Sequence, residues 1–175
     1  MIFILIGALL VAISAAALIT LPFRLTRRKT PKGLPPLAAG IALVAFVVWN
    51  DYSWYGRTAG ELPEQVAIVD SLDYQGPLQP WTYIVPRTNR FTAVDRSAIR
   101  RNEQLPGYAM FDLIFVQRYE PTLQTRQIVD CQGGRRADLT NETTYADDGM
   151  PQNVVWVSLE ENDPLLEIVC GSDGA

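Results

Sequence analysis

The chain contains no histidine, and that gap removes much chemistry. Ser-His-Asp and Cys-His arrangements are excluded, and so is the neutral imidazole that most zinc sites use. Only two cysteines occur, Cys131 and Cys170, and no CxxC pair. A metal site would need two distant thiolates plus carboxylates, and a redox pair would lack the neighbour that lowers a thiol pKa. No GxxxxGK[ST] or GxGxxG loop is present; QGGRRAD at 132–138 has the wrong spacing. The adjacent acids Asp147/Asp148 and Glu160/Glu161 sit among turn residues and read as solvated rather than as a catalytic dyad. We therefore expect no catalytic residue, no metal site, no cofactor and no enzymatic activity.

Charge is missing from one end of the chain. No charged side chain precedes Arg24, and all 19 acids lie at or after Asp51. Five basic residues (Arg24, Arg27, Arg28, Lys29, Lys32) precede Asp51; the ten that follow are all arginine, so residues 51–175 carry a net −9. Such a domain has no general electrostatic footprint for nucleic acid.

Residues 1–23 contain no charged residue and, as a helix, span about 33 Å, enough for a hydrocarbon core of about 30 Å. A second apolar run at 34–49 covers only about 24 Å. Its shortness is met by an aromatic cluster suited to the headgroup level: Trp49, Tyr52, Trp54 and Tyr55. Pro35 and Pro36 fall in its first turn, where a missing N–H costs little. A cleaved signal peptide is the alternative for the first run, but no basic residue precedes it and Arg-Arg-Lys follows. A buried core helix is the alternative for the second. Both runs are expected to be transmembrane helices joined by a basic hinge at 24–33. The positive-inside bias puts that hinge in the cytoplasm and both termini on the other side. The expected location is a bacterial inner membrane, two-pass, with membrane lipid as one partner. A membrane-exit linker of loop residues at 50–63 then leads to a periplasmic domain at 64–175.

An even cysteine count on an oxidising side reads as a disulfide, which would stabilise a loop of about 40 residues by roughly 4 kcal/mol in the chain-entropy model. Strand signals fall at 66–74, in two short extended pieces within 80–95, and at 110–119, 124–131, 135–140 and 153–160. Residues 96–104 are expected to form a helical turn or loop. Asp163-Pro164 starts a short C-terminal helix, with Asp as N-cap and Pro at N1; Leu165, Leu166 and Val169 would face the sheet. The expected fold is two transmembrane α-helices plus a mainly antiparallel β-sheet domain, α+β, with that helix.

From about Phe91 to Cys170 the sequence resembles the surface-adhesin E-like family of bacterial envelope proteins. The pattern is an aromatic strand ending in V-D (Phe91–Asp95), S-x-I-R-R (Ser97–Arg101), a long hydrophobic strand and V-D-C-x-x-x-R-R (Val129–Arg136). Tyr145 then precedes an Asp148-Gly149 turn, followed by a strand tryptophan (Trp156) and a helix ending in I-V-C (Ile168–Cys170). The resemblance implies a small antiparallel sheet with its C-terminal helix tied on by Cys131–Cys170. Members named for a function are surface adhesins. This chain departs in its anchorage, with two helices in place of a lipoprotein or secretion signal.

Two arginine pairs, Arg100/Arg101 and Arg135/Arg136, are candidate partner contacts; ion pairing with Asp95, Asp130 or Asp138 is the expected alternative, since acids are abundant. Trp81 and Tyr83, in the segment Trp81–Phe91, are either core and edge strand, which is the expectation, or an exposed docking surface. The functional expectation is a non-enzymatic inner-membrane accessory or scaffold protein that presents a periplasmic interaction domain to another envelope or membrane protein. A surface adhesin or ligand-sensing domain is the alternative.

Overall fold

The computed structural model describes residues 2–102, 105–146 and 148–171. The chain divides into two compact units, Met1–Thr58 and Ala59–Ala175.

The first unit is a helical hairpin. Helix α1 (Ile2–Leu25) and helix α2 (Leu34–Gly60) are each long and apolar enough to cross a membrane. Only 11 % and 6 % of their most apolar windows are buried, less than a core helix of a soluble protein ordinarily hides. The helices meet through small residues: Ala8 and Ala12 are buried, and a Cβ on Gly7 would stand 3.3 Å from the Phe46 ring. Helix α2 does not stop at Trp49. The expected loop at 50–63 is helical as far as Gly60. Arg57 reaches back along the helix to donate to Asn50 Oδ1 at 3.1 Å and to lie 5.0 Å from the Trp49 ring centroid. These contacts offset the cost of Gly56, roughly 1 kcal/mol in a helix interior.

The second unit is a curled antiparallel sheet. Strands β1 (Val66–Tyr74), β2 (Arg87–Asp95), β4 (Tyr108–Gln117), β5 (Leu123–Asp130), β6 (Arg135–Leu139) and β9 (Trp156–Ser158) lie side by side in that order. The two-residue strand β3 (Arg100–Arg101) also pairs with β4. It continues the line of β2, because both lie along the same partner strand. Between them Asp95 Oδ1 accepts from the N–H and hydroxyl of Ser97 and turns Arg96–Ala98 into a 3-10 step. The short hairpin β7 (Thr144–Tyr145) and β8 (Pro151–Gln152) stands apart from the main sheet. The fold class expected from sequence is the one found.

Burial in β4 alternates strictly. Ala109, Phe111 and Leu113 are buried, whereas Tyr108, Met110, Asp112 and Ile114 are half-buried. The closed face is covered by helix α3 (Pro164–Cys170), whose Leu165 and Val169 pack with Val94, Phe111, Leu113 and Val129. As the sequence indicates, Asp163 Oδ1 accepts from Leu165 N–H at 2.8 Å and Pro164 opens the helix. Cys131–Cys170 is bonded, with Cα atoms 5.8 Å apart, tying the end of α3 to the end of β5.

Two expected strands are corrected. The first extended piece within 80–95 is instead a 3-10 turn, Pro80–Tyr83, in which Pro80 fixes the opening φ and Thr82 Oγ1 closes back on Gln79 O at 2.7 Å. The strand expected at 153–160 shrinks to Trp156–Ser158. Asn153 has a positive φ (58°), which ends the β7–β8 pairing and resets the chain direction.

Candidate functional site

Neighbouring residues on a strand face opposite sides of a sheet, and this separates each arginine pair. Arg101 turns to the closed face and donates to Val169 O at 2.7 Å, satisfying a carbonyl in the last turn of α3. Arg136, also on that face, donates to Gln127 Oε1 at 3.2 Å, while Gln127 Nε2 donates to Asp138 Oδ1. Asp138 is thus engaged through Gln127, and Asp95 is taken by Ser97, so among the described residues neither receives a direct arginine ion pair, the expected alternative that Asp130 alone meets.

Arg135 faces the open side and holds Asp130 at 2.9 Å. The buried Asp130 carboxylate also accepts from Gly133 N–H at 2.9 Å, Gln132 N–H at 3.2 Å and Tyr108 O–H at 3.4 Å. Burial alone would push this carboxyl up. The Gly133 N–H, the Arg135 guanidinium and the Gln132 N–H outweigh that and hold its pKa below the ordinary value near 3.8. Pairing with Asp130, then with Tyr108, raises Arg135 in turn. A Cβ at Gly133 would come within 2.5 Å of Asp130 Oδ2, and Gly134 sits at φ +57°, so the double glycine is what lets the β5–β6 turn wrap the carboxylate. Arg135 lies 4.9 Å from the Trp156 ring centroid, and Trp156 meets Tyr108 edge-on with centroids 6.3 Å apart. This cluster is structural: it fixes the sheet next to the disulfide.

Arg100 is different. Among the described residues no hydrogen bond or ion pair reaches its guanidinium. It lines a recess of about 190 Å³ with Tyr108, Met110, Ile128 and Tyr145, and a smaller one of about 100 Å³ beside the cross-strand pair Arg126–Asp112 (3.1 Å). The open face therefore presents Arg100, Tyr108, Tyr145 and Trp156 over an apolar floor.

Trp81 and Tyr83 are not in the core, which corrects the expectation for their segment. Both are exposed, with Leu78, Ile84 and Val85 beside them, and only Thr82 of that turn is fully buried. Phe91, the last residue of the segment, is core. Of the aromatic residues expected at the headgroup level, Trp49 is exposed and Tyr52, Trp54 and Tyr55 are half-buried, all on the continuous helix α2. Glu160 and Glu161 are exposed; Asp148 Oδ1 accepts from Met150 N–H at 3.0 Å as a turn residue, and Asp147 lies outside the described residues. Among the described residues no cluster of three or more Cys, Asp or Glu could hold a metal ion. Sequence reasoning missed Tyr108 and Met110 as part of this face, although their alternation with Ala109 and Phe111 carried the signal.

No family model, curated protein or solved structure matches the chain.

Proposed function

We propose that this is a non-enzymatic, membrane-tethered accessory or scaffold protein whose sheet domain docks another envelope protein through its open face. The observation that carries the reading is the grouping of Tyr108, Tyr145 and Trp156 with an arginine, Arg100, that no described carboxylate engages. Tyrosine, tryptophan and arginine dominate protein-binding hot spots, and the half-buried floor supplies the apolar centre such a patch needs. Two apolar helices with little of their surface buried support membrane insertion. The disulfide and the basic hinge both favour a domain on the oxidising, periplasmic side of an inner membrane.

The test is photo-crosslinking in cells from Tyr145 and, as a control on the exposed chain away from this face, from Glu64. A discrete adduct from Tyr145 alone, identified by mass spectrometry, is the expected result. Folded protein that gives no adduct from Tyr145, and purifies in mild detergent as a bare monomer, overturns the reading. The recess at Arg100 favours a second reading, a sensor of a small anionic ligand. In that case a small anion would protect Arg100 from dicarbonyl modification and no protein adduct would form.

A further inference from the structure

One end of the sheet domain is apolar, and nothing in the docking face described above uses it. The 13 residues from Tyr74 to Pro86 contain no charge. Leu78 and Ile84 are 88 % and 84 % exposed, and Trp81, Tyr83 and Val85 stand out beside them. This loop is held in place with its apolar groups outward. Gly76 N–H donates to Thr82 Oγ1 at 3.1 Å, a bridge pairs Gly76 with Gln79, and Arg87 lies 5.0 Å from the Tyr74 ring centroid. The β4–β5 hairpin ends at the same edge, since Arg90 pairs with Gln117 and Arg118 N–H donates to Asn89 O. It adds exposed Tyr119 and Leu123.

Charge distinguishes this end from the rest. Its accessible ionised side chains are Arg87 and Arg90 against Asp73 and Glu120, with Arg118 buried, so this end is balanced in charge, in a region whose total is −9.

We propose that this end of the domain inserts into the headgroup layer of the bilayer that the helices cross. Aliphatic side chains flanked by Trp and Tyr, with no charge among them, are the composition of interfacial anchors. The short connection 61–65 between α2 and β1 keeps a bilayer surface at high effective concentration. Elsewhere the acidic surface is repelled by anionic lipid, which favours approach through this charge-balanced apolar end. The inference rests on the membrane-spanning reading, and its test separates the two.

The full-length protein, with one added cysteine at a time carrying an environment-sensitive fluorophore, is placed in nanodiscs of phosphatidylcholine and phosphatidylglycerol. Some of the lipids carry a nitroxide near the headgroup or along the chain. The labelled positions are Ile84→Cys in the loop, Val44→Cys on the exposed side of α2 and Glu142→Cys on a surface turn. Headgroup nitroxide should quench the Ile84 label at least severalfold more than the Glu142 label, chain nitroxide should quench Val44, and Trp81→Ser should release the Ile84 label to aqueous iodide. If Val44 is quenched while Ile84 is as open to iodide as Glu142, the lipid-anchor inference fails and the spanning reading stands. If Ile84 is shielded from iodide but untouched by nitroxide, a protein surface covers the loop and the inference also fails. If Val44 is not quenched, both fall.

Discussion

On one face of the sheet Val94, Phe111, Leu113 and Val129 lie under α3 and exclude water; on the other, Tyr108, Met110 and Asp112, from alternate positions of the same β4, keep contact with it. The closed face is tied down three times over, by apolar packing, by the disulfide and by Arg101 on the Val169 carbonyl of α3. The open face is ordered by one buried carboxylate and leaves Arg100 among aromatic rings. Which face an arginine reaches depends on the parity of its position. On the open side Arg135 and Arg126 are engaged by Asp130 and Asp112, whereas no described hydrogen bond or ion pair reaches Arg100.

The closed face should yield the largest effects. Reducing Cys131–Cys170, or replacing both with serine, is expected to lower stability by about 4 kcal/mol. The check is a thermal melt of the detergent-solubilised protein with and without reductant. Leu165→Ala should cost about 2–5 kcal/mol, because its side chain is fully buried and α3 is too short to close over the cavity. A disulfide variant as stable as the wild type would show that α3 needs no covalent tie, and the contrast between the faces would weaken.

Asp130 tests whether the open face has any structural anchor. Its carboxyl is held below 3.8 in the folded protein, so the unfolded chain binds more protons in that range. Stability from Asp130 is therefore complete above about pH 5, begins to fall near the unfolded value and is lost as pH falls through the lower folded pKa. Asp130→Asn should cost about 1.5–3 kcal/mol at neutral pH, the range for hydrogen bonds to a charged group, and should flatten that acid limb. Denaturant unfolding from pH 7 down to about pH 2.5 compares the two; parallel acid limbs would remove Asp130 as the anchor.

Much of the fold is legible in the chain itself. Asp163-Pro164 carries both the cap and the fixed φ of α3, and the two cysteines leave a single possible intrachain pair. What escapes a sequence reading is what depends on distant partners. The helix through Asn50–Gly60 contains two glycines and looks like a loop until Arg57 is seen against Trp49 and Asn50. The composition of Trp81–Val85 fits a strand, but a strand needs a ladder partner, and Pro80 and Pro86 bracket the segment and remove the N–H groups a ladder would use. The four candidate arginines are indistinguishable by type. Only the register of β3 on β4 and of β6 on β5 shows that three are engaged within the domain and that Arg100 faces an open recess.

The finest test sets adjacent residues against each other. Arg101→Ala removes a hydrogen bond to Val169 O and should cost about 1 kcal/mol, the usual net worth of such a bond at a partly exposed site, without affecting any partner. Arg100→Ala removes no described hydrogen bond or ion pair, so stability should stay within about 0.5 kcal/mol of wild type. If the open face docks a partner, the Tyr145 crosslink should nevertheless fall at least severalfold in Arg100→Ala and persist in Arg101→Ala. Rescue by Arg100→Lys would mark a need for charge alone; failure of rescue would mark a need for the planar fork of donors. Equal crosslinking in both variants would mean that this arginine is solvated surface, and the open face would lose the feature that sets it apart from the closed one.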